Sequence, residues 1–116
     1  MELKYSFTIM VFMKNTINNI FKNLQNPDIG DEIFTTLLKH KNVEIEIINS
    51  NKIQNGQWYK QVQDEWVVIL SGQATLEVEG SIHNLGSGDS LFIEKNRSHR
   101  VLQTDDKTLW LAVHIF

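Results

Sequence analysis

From Val43 onward, apolar and polar residues alternate with a period of two. Val43, Ile45 and Ile47 are separated by Glu44 and Glu46, the pattern of a strand with one face in a core and the other in water. A polar stretch from Asn49 to Gly56 follows. Trp58 to Leu70 is rich in aromatic and β-branched residues and ends at the turn pair Ser71-Gly72. Ala74, Leu76 and Val78 alternate with Thr75, Glu77 and Glu79 before Gly80. Gly86-Ser87-Gly88-Asp89 precedes Leu91-Phe92-Ile93, and Asn96-Arg97-Ser98 precedes His99-Arg100-Val101-Leu102. A final apolar segment, Leu109 to Phe116, follows the polar run Thr104-Asp105-Asp106-Lys107. Short strands at roughly eight-to-twelve-residue intervals with turn residues between them predict an all-β sandwich or barrel.

The first 42 residues read differently and are expected to form an arm, with the barrel spanning 43–116 in a single domain. Ile17, Ile20, Phe21 and Leu24 recur at helical spacing, and Gln25-Asn26-Pro27-Asp28-Ile29-Gly30 breaks that stripe. Asp31 suits the cap of a short helical turn carrying Ile33, Phe34, Leu37 and Leu38; the same four fit an extended segment equally well. Phe7 to Phe12 is apolar but far shorter than the roughly 20 residues that span a bilayer. It is either an extra edge strand or sequence upstream of a start at Met13. Trp66, Val68 and Leu70 alternate with Val67 and Ile69, so this strand is apolar on both faces and needs cover on both. The arm or a second subunit would supply the outer cover, and a homodimer is expected.

Composition narrows the chemistry. With 41% hydrophobic and 22% charged residues the chain is that of an ordinary folded domain. A net charge of −3 and the absence of any Lys/Arg run argue against nucleic acid or an anionic membrane as partner. There is no cysteine, which removes disulfides, thiolate catalysis and Cys-based zinc sites, and suits a cytoplasmic location. Any metal would be left to His, carboxylate and amide ligands. No nucleophile elbow, phosphate-binding loop or HExxH helix is present.

Two stretches carry more than periodicity. One runs from Gly56 through Trp58-Tyr59-Lys60-Gln61 to Glu65 and Gly72; the other runs from Gly88-Asp89 to His99. Together they resemble the paired motifs of the cupin superfamily, over about residues 43–116. Glu65 and Gly72 keep the first motif's Glu-to-Gly spacing, and Gly88 and His99 keep the Gly-to-His spacing of the second. The first motif's His-x-His pair is replaced by Tyr59 and Gln61, or by Trp58 and Lys60 in the longer spacing. Glu94 and Asn96 stand where the second motif has Pro and Gly, and Asn tolerates the left-handed conformation that such a turn needs. Asp64-Glu65-Trp66-Val67-Val68 and Trp110-Leu111-Ala112-Val113-His114 are similar to a group of small single-domain bacterial cupins with no agreed activity. The resemblance implies an RmlC-like jelly-roll barrel whose pocket is lined from both motifs.

Residues 59, 61 and 65 share strand parity, so Tyr59, Gln61 and Glu65 would meet His99 if that face looks inward. Glu65 and His99, with Gln61 or His114, form the candidate set for a divalent metal such as Zn, Mn, Fe or Ni. Glu65, His99 and Tyr59 are the candidate catalytic groups, and in a metal-free enzyme His99 and Tyr59 would act as base and acid. His114 shares parity with Trp110 and Ala112 and fits a packed core histidine as readily as a pocket one. His40 and His83 read as solvated, Arg100 as a surface or dimer-face residue, and Trp58, Trp66 and Trp110 as packing residues. The leading expectation is a cupin that binds a small molecule in its barrel, with a divalent metal as possible cofactor. A non-catalytic, metal-free module that binds or senses a metabolite, and a barrel filled with hydrophobic side chains, are the alternatives.

Overall fold

The computed structural model describes residues 6–10, 17–22 and 24–116. Among the described residues nine strands follow one another: β1 (Ser6–Met10), β2 (Glu32–His40), β3 (Val43–Ser50), β4 (Asp64–Ser71), β5 (Ala74–Val78), β6 (Ser81–Leu85), β7 (Ser90–Ile93), β8 (His99–Thr104) and β9 (Thr108–Ile115). They form a six-stranded sheet in the order β1-β2-β3-β9-β4-β7 and a three-stranded sheet in the order β6-β5-β8. All pairings are antiparallel except that of β1 with β2. This is the all-β architecture expected from the strand pattern, in the jelly-roll form that the resemblance implied. The apolar N-terminal run contributes an edge strand; Met13, the alternative start, lies outside the described residues.

The helical stripe does not form a helix. Residues 20–22 make only a turn, and Ile17 is 97% exposed. Asn19 is the local cause: its side-chain oxygen accepts from the Phe21 N–H and its carbonyl from the Lys22 N–H. Such local bonds offer the backbone an alternative to helix, and a short helix with no surface to pack on cannot repay nucleation. Residues 31–38 resolve to the extended alternative, because β2 pairs with β3 from Glu32 through His40, with an irregularity between Thr36 and Leu38. Among the described residues no helix is long and apolar enough to cross a membrane.

Register fixes which side chains look inward. Glu65 lies beside His114, Val67 beside Ala112 and Ile69 beside Trp110, so the inner face grades from ionisable to apolar along β4 and β9. The apolar end is the core: Ile48, Val67, Ile69, Ala74, Leu76, Leu85, Trp110 and Ala112, with Phe34, Leu91 and Val101 against it. On β3 the structure reverses the expected parity. Glu46, opposite Ala112, and Ile48, opposite Trp110, face inward, while Val43, Ile45 and Ile47 face out. The outer apolar set is tolerated because that face is partly roofed: Pro27 is buried, and the Asn49 amide donates to the Gln25 carbonyl at 2.7 Å. Beyond the roof an apolar row crosses five strands, from Leu38 through Ile45, Val113 and Trp66 to Phe92.

Two turns hold the motif segments in place. Gly72 has φ of +88°, and a Cβ there would lie 2.8 Å from Thr108 Cα. Asn96 adopts φ of 63° in place of the motif glycine, and its N–H donates to the Gln61 carbonyl at 2.6 Å. Gly72→Ala is expected to cost about 1–3 kcal/mol through this strain and clash, read as a fall of several degrees in melting temperature.

Candidate functional site

The ionisable end of the barrel encloses a cavity of about 90 Å³. Tyr59, Gln61, Glu65, His99 and His114, all singled out from sequence, line it together with Glu32 and Glu46. Each reaches it for a structural reason. Tyr59 and His99 exchange backbone hydrogen bonds of 2.8 and 2.9 Å, which sets their rings face to face with centroids 6.1 Å apart. The turn at Asn96 anchors Gln61, and the Lys95 N–H donates to Asp64 Oδ1 at 2.9 Å, tying the second motif to the start of β4. Glu65 and His114 are cross-strand neighbours.

His99 Nδ1 donates to the Arg97 carbonyl at 3.0 Å, so the neutral ring turns the Nε2 lone pair to the cavity. Nε2 faces Glu65 Oε1 across 3.8 Å, beyond hydrogen-bond reach, with both side chains buried. His114 is engaged on both nitrogens: the Gln63 amide nitrogen meets Nδ1 at 3.2 Å and Nε2 meets Glu46 Oε1 at 2.8 Å. The Gln63 amide nitrogen only donates, so in the neutral ring Nε2 carries the proton toward Glu46. Glu32 accepts from Ser50 Oγ at 2.7 Å, and that oxygen in turn accepts from Trp110 Nε1 at 3.1 Å. Gln61 Oε1 is buried with no hydrogen-bond partner.

Three carboxylates in one buried space disturb one another. Burial raises Glu32 above its ordinary value; repulsion by Glu46 and Glu65 adds to this, and the Ser50 bond opposes it. Burial also raises Glu65, while His114 and His99 draw it back. The Tyr59 phenol is raised by burial and by Glu32, Glu65 and Glu46, so it stays protonated as a donor. For His114, burial disfavours the cation, but the Glu46 bond and the field of Glu65 outweigh it and the value rises.

The donor types suit a divalent ion, but their arrangement does not. Among the described residues no three His, Asp or Glu side chains stand together as a ligand set, and His114 has both nitrogens committed. Glu65, His99, Gln61 and His114 share the cavity without forming a ready metal centre.

A profile of the cupin domain matches residues 52–115. The chain belongs to the cupin family. A Ralstonia eutropha protein described as a candidate mannose-6-phosphate isomerase is 40% identical, over 86% of this cupin and 97% of that chain, with a TM-score of 0.76. An RmlC-like cupin from Shewanella frigidimarina has 17% identity over 84% of this chain and 87% of that one, with a TM-score of 0.70. A Streptococcus pyogenes protein of unknown function has 16% identity over 90% of both chains and a TM-score of 0.71, a likeness of fold alone. No curated protein matches this cupin.

Glu32 and Glu46 were not among the candidates from sequence, and both precede the matched residues 52–115. The one local signal for Glu46 is the Ile47-Ile48 pair, which breaks the alternation and leaves either parity free to face the core. Glu32 has none, because its orienting partners Ser50 and Trp110 are remote in sequence. Of the other residues considered, Trp110 is buried, Arg100 pairs with Glu77 at 3.0 Å and lies over Trp58, and His40 is exposed.

Raised folded values for Glu32, Glu65 and His114 set the sign of a pH effect. Their contribution to stability is complete below the ordinary carboxylate value of 4.5 and declines as pH climbs through the raised carboxylate values. His114 adds a further loss above 6.5. The parent's melting temperature, measured from about pH 5 to pH 8, is expected to fall relative to that of Glu32→Gln, which keeps the acceptor for Ser50 but carries no charge.

Proposed function

We propose that this cupin binds a small polar molecule inside the barrel, with Glu65 and His99 as the groups that meet it. The observation that carries the reading is Glu65 itself. This carboxylate is 6% exposed, faces His99 Nε2 across 3.8 Å, and makes no hydrogen bond to any described residue. A buried acid without such bonds costs on the order of a few kcal/mol, a cost that a ligand would relieve.

The pair has acid–base capacity. Glu65 with a raised value donates a proton, the His99 lone pair accepts one, and Tyr59 adds a neutral donor beside them. Moving a proton between adjacent atoms of a bound molecule is what isomerisation requires, and the description of the Ralstonia relative supports that reaction class. Binding without turnover is the alternative, favoured by the missing His-x-His pair. A cytoplasmic location accords with the cysteine-free chain.

One preparation tests the site and the metal together. Untagged protein purified without chelator, incubated with a small-molecule extract and then washed, is expected to retain a compound that Glu65→Gln and His99→Ala both lose. Elemental analysis of the same sample is expected to find less than one equivalent of Zn, Mn, Fe or Ni. Equal retention by both variants overturns the site. Near-stoichiometric metal that disappears in His99→Ala overturns the metal-free reading.

A homodimer through the outer face of the larger sheet belongs to the same proposal. Trp66 and Phe92 are 37% and 53% exposed in the row that the arm leaves uncovered. Light scattering is expected to give twice the chain mass for the parent and the chain mass for Trp66→Glu.

A further inference from the structure

The polar atoms turned to the cavity are almost all hydrogen-bond acceptors. Among the described residues, Glu65 offers a carboxylate without a hydrogen bond, Gln61 a buried oxygen without a partner, and His99 a lone pair on Nε2. Glu46 and Glu32 add carboxylates that each hold one bond, to His114 and to Ser50. Among the lining residues there is no lysine or arginine. The two arginines flanking His99 are spent elsewhere: Arg97 on Glu79 at 2.9 Å, and Arg100 on Glu77 at 3.0 Å. Two imidazoles therefore face three carboxylates, and one imidazole is already consumed by Glu46.

We propose that the cavity selects a small organic cation bearing a primary ammonium group. The inference rests on the reading of the barrel as a small-molecule pocket and names the class of molecule. An ammonium group brings three N–H donors and a positive charge, which are what this lining lacks, and Glu65, Gln61 and His99 would each take one donor. The Tyr59 ring, stacked on that of His99, also lines the cavity. A phosphorylated sugar is the opposite case. Its dianion would enter a space walled by carboxylates with no lysine or arginine to receive it, and with His114 already held by Glu46. The relative described as a candidate mannose-6-phosphate isomerase does not carry its phosphate over to this cavity.

Three near-isosteric probes separate the possibilities: n-propylammonium, n-propanol and propionate. Each is titrated into the full-length protein while the Trp110 indole N–H and the His99 and His114 ring nitrogens are followed by NMR. The ammonium ion is expected to bind in the millimolar range, at least tenfold tighter than propanol, with propionate inert. Glu65→Gln is expected to weaken the ammonium ion at least tenfold and leave propanol unchanged. Glu46→Gln supplies a second variant should the first fail to fold. Propanol binding as tightly as propylammonium sinks the cation preference and leaves the small-molecule pocket standing. Tighter binding of propionate sinks it too. If no probe moves these resonances, this inference and the pocket reading fall together. Manganese(II) binding more tightly than the ammonium ion at the same resonances overturns the organic cation in favour of a metal.

Discussion

A carboxylate inside a protein must be paired, neutral or in use, and this barrel holds three at one end. Glu46 is paired, through the 2.8 Å bond to His114. Glu32 is held by a hydroxyl and pushed by burial toward its neutral form. Glu65 is also pushed by burial toward its neutral form, but it faces His99 Nε2 only across 3.8 Å and opens on the cavity. The grading of the inner face follows from this. Isoleucine, tryptophan and alanine close the other end tightly enough that the ionisable end is left roomy without the fold opening. The apolar core and the ionisable cavity are the two ends of one gradient along β4 and β9.

The strands of the larger part of the chain were legible because turn residues punctuate them. Ser71-Gly72, Gly80, Gly88-Asp89 and the Asn96 turn each fall where the backbone reverses or takes positive φ. Glu65 and His99 were legible because motif spacing survives the loss of the His-x-His pair. The spacing of Ile17, Ile20, Phe21 and Leu24 misled because periodicity alone does not supply a surface to pack on, and Asn19 satisfies the local backbone another way. The parity of β3 misled for a subtler reason. Alternation reports that two faces differ, and here the apolar face lies outside, under the arm and along an uncovered row, while the acidic face looks in. No pattern within a single strand distinguishes those cases.

The two motif segments behave as one mechanical unit. The Asn96 N–H on the Gln61 carbonyl, the Lys95 N–H on Asp64 and the reciprocal bonds of Tyr59 and His99 stitch them from both sides of the cavity. A substitution in the second-motif turn therefore reaches the amide of Gln61 through backbone, with no side-chain contact between them. The missing first-motif histidines leave a site whose groups are still held by rigid strands and short turns.

Glu32 and Glu46 both stand before residue 52, where the family profile begins to match. The matching stretch takes in β4 to β9, strands of both sheets, and leaves out β2 and β3. β2 and β3, which bring Glu32 and Glu46 to the cavity beside β9, are free to differ between two chains that look alike over the motifs. Kinship across residues 52–115 then speaks for how the vessel is built, while two of the acids inside it come from strands on which that kinship is silent.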